Sequence, residues 1–109
     1  MAEEIMERIK KDIETNKIIL YIKGTKEMPM CGFSAQVVHI FSELGVSFET
    51  RDVLDGTGLR EALPLYSNWP TFPQVYVSGE LIGGCDIVTE LYEKGELQPL
   101  VQKALATGK

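Results

Sequence analysis

The sequence predicts an α/β fold, with helices covering both faces of a four-stranded mixed sheet. Three observations carry this. The apolar, β-branched run Ile18-Ile19-Leu20-Tyr21-Ile22 suits a central strand covered on both sides. A helical stripe and a second strand follow it, a β-α-β unit that implies a parallel pair with a crossover helix. Near the C-terminal end, a strand, a tight turn and a strand add an antiparallel hairpin.

The elements follow in chain order. Ile5, Ile9 and Ile13 recur every four residues among charged side chains, the stripe of a helix lying on a core, and Asn16 ends it. After the 18–22 strand comes a polar loop over 24–30 containing Pro29. From 33 to 44, Val37, Val38, Phe41 and Leu44 repeat at helical spacing, and Gly45 stands where a helix end favours a left-handed residue. Residues 48–53 read as the second strand. Leu59, Leu63 and Tyr66 predict a third helix, begun near Thr57 and closed by Asn68-Trp69-Pro70.

Gln74-Val75-Tyr76-Val77, the turn Ser78-Gly79 and Glu80-Leu81-Ile82 form the hairpin, which Gly83-Gly84 ends. Asp86 is placed to cap a helix holding Ile87, Val88, Leu91 and Tyr92, with Gly95 after it. A last amphipathic helix carries Leu97, Leu100, Val101, Ala104 and Leu105. The order is α-β-α-β-α-β-β-α-α, packed as one domain over 1–109.

Composition narrows the function classes. A chain that is 44% hydrophobic and 25% charged is an ordinary globule, and no apolar run approaches the roughly 18–20 residues of a spanning helix. The formal charge of −5 disfavours nucleic acid and anionic lipid as partners. Met1-Ala2-Glu3-Glu4 lacks the basic start of a secretory signal, so a cytoplasmic location is expected, or an organelle matrix if a presequence has been removed. Cys31, Cys85 and the lone His39 are too few for a four-ligand zinc site in one chain, and reduced thiols are the better reading of the two cysteines.

Cys31 falls between the 24–30 loop and the first turn of the helix over 33–44. Free amides and the helix dipole at such a position favour a thiolate, and Lys23 and Lys26 lie close in sequence. An exposed sulfur of lowered pKa is therefore expected.

Around this cysteine the motifs become specific. Cys31-Gly32-Phe33-Ser34, preceded by Lys23-Gly24-Thr25 and followed by Trp69-Pro70-Thr71-Phe72-Pro73-Gln74 and Gly83-Gly84-Cys85-Asp86, resembles the monothiol glutaredoxins of the CGFS class over nearly the whole chain. The resemblance implies a thioredoxin-like fold with the active-site cysteine, Cys31, at a helix N-terminus. It implies glutathione as ligand, its glycine carboxylate held by Lys23 and Arg60 and its backbone by Thr71 and Phe72 before a cis Pro73. Its γ-glutamyl end would be received by Cys85 and Asp86. One departure from the class is Lys26, where many members have proline.

Ser34 stands where a dithiol protein keeps its resolving cysteine, and a hydroxyl does not exchange with sulfur. The class implies instead a [2Fe–2S] cluster bridging a homodimer, with Cys31 as the one protein ligand of each chain and glutathione thiols completing the four thiolates. The chain is then a monomer without cluster and a dimer with it, delivering the cluster to iron–sulfur acceptor proteins. Two other readings stand beside this one. In one, Cys31 is the nucleophile of a glutathione-dependent thiol–disulfide oxidoreductase, with weak enzymatic activity at most beside the carrier role. In the other, the chain is an adaptor for a BolA-like partner.

Overall fold

The computed structural model describes residues 2–106; Met1 and residues 107–109, part of the expected 1–109 domain, lie outside the described residues. Its elements are α1 (Ala2–Thr15), β1 (Ile18–Ile22), α2 (Gly32–Glu43), β2 (Glu49–Asp52), α3 (Leu59–Ser67), β3 (Gln74–Val77), β4 (Glu80–Gly83), α4 (Cys85–Glu93) and α5 (Leu97–Ala106). This is the α/β arrangement that the sequence predicts and the thioredoxin-like fold that the resemblance implies, with the sheet ordered β2-β1-β3-β4. β1 runs parallel to β2 and antiparallel to β3, and β3 and β4 form the hairpin.

The five buried residues of β1 divide by parity, as successive side chains of a strand must. Ile18, Leu20 and Ile22 face a core made with Val37, Ile40 and Phe41 of α2, Val88 of α4, and Leu97 and Val101 of α5. Ile19 and Tyr21 face the opposite layer, where α1 supplies Ile9 and Ile13 and α3 supplies Leu59 and Leu63. Each aliphatic side chain buried in this way contributes about 1.5–3 kcal/mol. The continuous apolar run of β1 thus reflects a strand with a helix layer on each side.

Several boundaries move for local reasons. α3 starts at Leu59 rather than near Thr57, because Asp55 Oδ1 accepts from both the backbone N–H and the hydroxyl of Thr57 and holds a turn there. Gly58, at φ 100°, is the N-cap. Asp86 does not cap α4: Gly84 occupies the N-cap and Asp86 lies inside the first turn, its carboxylate at the positive end of the helix. In the hairpin, Ser78 and Gly79 both have positive φ, as a type I′ turn requires. Tyr66, Ile87, Tyr92 and Leu105, apolar positions of the predicted helices, are on the surface, and Ile87 lies in the wall of the cleft described next. Among the described residues, no helix is long and apolar enough to cross a membrane.

Candidate functional site

The ends of β1 and β3 and the starts of α2, α3 and α4 surround a cleft of about 570 Å³. Lys23, Cys31, Arg60, Thr71, Phe72, Cys85 and Asp86 all line it, so residues spread over more than sixty positions of sequence meet at one place. Phe33, Trp69, Pro70, Pro73, Gly84 and Ile87 complete the lining. His39 lies outside it, on the exposed side of α2.

Cys31 is the N-cap of α2, in extended conformation (φ −153°, ψ 137°), with its side chain partly open to solvent. Its carbonyl accepts from Ala35 N–H at 2.9 Å, which starts the helix. The Ser34 backbone N–H is the main influence holding the thiol below its ordinary pKa. Partial burial opposes this, while the Phe33 amide, the Ser34 hydroxyl and the charge of Lys23 reinforce it. The groups that stabilise the thiolate are thus the free amides of a helix start, one hydroxyl and one lysine.

Ser34 is fully buried, and its Oγ also accepts from the Lys23 backbone N–H at 3.0 Å. The hydroxyl ties β1 to α2 directly behind the sulfur. The sequence shows Ser34 only as the absence of a resolving thiol, whereas its structural role depends on a partner eleven residues away.

The 24–30 loop is a closed turn. Thr25 and Met28 exchange backbone hydrogen bonds at 3.1 Å each, and Met30 N–H donates to the Lys23 carbonyl at 2.8 Å. Gly24 sits at φ +97°, where a Cβ would lie 2.6 Å from both the Met28 carbonyl oxygen and the Met30 nitrogen. Asp52, at the end of β2, accepts from the Gly24 N–H at 2.9 Å and anchors the turn to the sheet. Lys26 donates to the Phe48 carbonyl at 2.9 Å, its ammonium 4.3 Å from the Phe48 ring centre. Where a proline would stiffen the chain locally, this lysine fastens the loop to the body.

On the far wall, the Phe72–Pro73 bond is cis, and Gly84 lies so close that a Cβ there would be 3.1 Å from the Pro73 carbonyl oxygen and 3.4 Å from Trp69 Nε1. The Trp69 Nε1–H is buried with no hydrogen-bond partner among the described residues. Cys85 shares the cleft, and its sulfur lies 3.8 Å from Thr89 Oγ1, while its other side packs on the core. The cleft therefore offers two cations, one exposed carboxylate, an unused N–H donor and a sulfur of thiolate character. That set is complementary to a small zwitterionic peptide.

The chain matches the Glutaredoxin family over residues 18–82. It is 53% identical over 102 residues to the probable monothiol glutaredoxin 2 of Rickettsia typhi, covering 94% of this chain and 92% of that one. It is 50% identical over 101 residues to glutaredoxin 4 of Escherichia coli, covering 93% and 88%. Among solved structures, the solution structure of reduced poplar apo GrxS14 superposes with a TM-score of 0.82 at 46% identity, covering 94% of each chain.

Proposed function

Because this chain belongs to the monothiol glutaredoxin family, we propose that it carries a [2Fe–2S] cluster held between two copies by Cys31 and by glutathione bound in the cleft. The observation that supports this most is the single thiolate-favouring sulfur at the cleft, with a buried, hydrogen-bonded serine where a resolving thiol would stand. One chain offers one such sulfur. Two chains and two glutathione thiols give the four thiolates that a [2Fe–2S] centre takes, and co-ligands that dissociate suit a carrier which must release its cargo to acceptor proteins.

Glutathione fits the donor set. Arg60 offers a planar fork and Lys23 a point charge for the carboxylate of its glycine end. The Thr71-Phe72 backbone would receive the central residue as an added strand. At the start of α4, amides take the γ-glutamyl carboxylate and Asp86 pairs with the ammonium. The buried Trp69 Nε1–H would gain an acceptor.

Anaerobic reconstitution with iron, sulfide and glutathione, followed by absorbance and sizing, tests the reading. A coloured dimer that requires glutathione is expected, and a colourless monomer under all conditions overturns it.

The lowered pKa of Cys31 also favours a second activity at the same sulfur. The Cys31 thiolate attacks a protein–glutathione disulfide, releasing the protein thiolate and forming a Cys31–glutathione disulfide. A second glutathione thiolate then attacks that bond, giving oxidised glutathione and restoring Cys31. Robust turnover without cluster would make this the main activity. A BolA-like partner is a third role, favoured only if Cys31 proves dispensable for partner binding. A cytoplasmic location remains the accompanying expectation.

A further inference from the structure

Gln74 opens β3 with its side chain completely buried, an unusual place for an amide unless every polar atom is used. Its Oε1 accepts from the Tyr76 hydroxyl at 2.9 Å. That bond fixes which way the amide faces, leaving the NH2 end for two carbonyls of the cleft wall. Nε2 donates to the Trp69 carbonyl at 2.8 Å and, at a longer 3.4 Å, to the Thr71 carbonyl. Ser67 adds a further tie, its Oγ accepting from the Trp69 N–H at 3.0 Å while donating to the Leu63 carbonyl at 2.8 Å. Burial pushes the Tyr76 hydroxyl up to about 12, so it remains a donor throughout the physiological range.

The direction of the clamp matters. In a trans peptide the C=O and the following N–H point opposite ways. Drawing the Thr71 carbonyl toward Gln74 turns the Phe72 N–H away from the sheet, toward the cleft that Thr71 and Phe72 line. The clamp on the Trp69 carbonyl likewise fixes the peptide next to the indole that packs over Gly84.

We propose that Gln74 is a positioning residue for tripeptide binding, presetting the 69–72 backbone so that the Phe72 N–H faces the ligand; this rests on glutathione being the ligand. The sequence alone presents Gln74 as the first residue of a strand, and the assignment needs the three acceptor and donor partners around it.

The test uses Trp69, the sole tryptophan of the chain, as a fluorescent reporter of S-methylglutathione binding, a probe that cannot exchange with Cys31. Titrations at pH 5.5 and 8 compare the wild type with Gln74→Glu and Gln74→Met. In Gln74→Glu a buried neutral carboxyl can still donate to the Trp69 carbonyl, whereas the ionised form repels it. Its affinity is expected within about 3-fold of wild type at pH 5.5 and at least about 10-fold weaker at pH 8, while the wild type changes little over the same window. Gln74→Met is expected to bind about 10-fold more weakly at both pH values. The pH dependence of Cys31 alkylation should be unchanged in both variants.

Wild-type affinity in Gln74→Met, or a flat wild-type profile in Gln74→Glu, overturns the inference and leaves the glutathione reading intact. A Cys31 profile that moves along with affinity means that the whole cleft is disturbed, and also overturns it. A wild type that fails to bind the probe overturns both. Should Gln74→Glu not fold, Gln74→Met decides, with Tyr76→Phe, which removes only the orienting donor, expected to weaken binding severalfold without altering the Cys31 profile.

Discussion

Removing the Ser34 hydroxyl separates two jobs that this structure gives one atom. In Ser34→Ala the Cys31 thiolate loses a neighbouring hydroxyl that helps hold its pKa down, and the Lys23 N–H loses its acceptor. A hydrogen bond to a charged group is worth about 1.5–3 kcal/mol, and a neutral one about 0.5–1.5. The sulfur is partly solvated and keeps the Ser34 and Phe33 amides, so about 1 kcal/mol of thiolate stabilisation is the reasonable loss. At 1.36 kcal/mol per tenfold, that is about a 5-fold slower alkylation by iodoacetamide at neutral pH. Leaving the Lys23 N–H unpaired adds about 1–2 kcal/mol of destabilisation, read as a lower urea midpoint.

The two effects meet in the pH dependence of stability. The Cys31 pKa is lower in the folded chain than in the unfolded one. Its contribution to stability is therefore present above the unfolded thiol value of about 8.5 and is lost as pH falls through the lowered folded value. The wild type should gain stability across that window, and Ser34→Ala should gain less. An alkylation profile identical to wild type would refute the assignment of Ser34 to the thiolate, and a wild-type midpoint at or above about 8.5 would refute the depressed pKa itself.

Other expectations follow from the same geometry. Gly24→Ala forces a Cβ against two backbone atoms at positive φ and should cost at least about 2 kcal/mol by denaturant melting, whereas Gly32→Ala, where a Cβ meets nothing within 4 Å, should stay within about 0.5 kcal/mol of wild type. Lys23→Ala and Arg60→Ala should each weaken S-methylglutathione binding by about 5- to 10-fold, with a smaller salt dependence than wild type; equal affinity in both would remove the carboxylate assignment. Cys85→Ser should keep tripeptide affinity within about 3-fold and still assemble cluster, because the polar contact of its sulfur is a weak one to Thr89 and a hydroxyl of similar size keeps the packing; loss of cluster would make Cys85 a ligand.

The parts of the fold legible in the sequence were those with local physical causes. The α1 stripe of Ile9 and Ile13, the two-sided run of β1 and the Ser78-Gly79 turn each encode their geometry within a few residues. The start of α3 was not legible, since Asp55 delays it through a side-chain turn and the cap is a glycine without a side chain. Asp86 looked like a cap because it is the acidic residue nearest the helix start, yet the glycine two residues earlier occupies that position.

At the site, the four motifs marked most of the cleft-lining residues, with Arg60 implied by the resemblance alone, and folding brings them together. What the sequence hid were the buried polar supports, because a serine or glutamine shows its partners only in three dimensions. Ser34 reaches Lys23, Asp52 reaches Gly24 across 28 positions, and Gln74 reaches back to Trp69. Lys26 carried a visible sequence anomaly, but its attachment to Phe48 depends on β2 lying beside β1.

The most direct test of the cluster reading is native mass spectrometry of the anaerobically reconstituted protein. A species of two chains, two irons, two sulfides and two glutathiones is expected, absent in Cys31→Ser and absent when glutathione is withheld. A cluster-loaded species that forms without glutathione, or one that persists in Cys31→Ser, would contradict it.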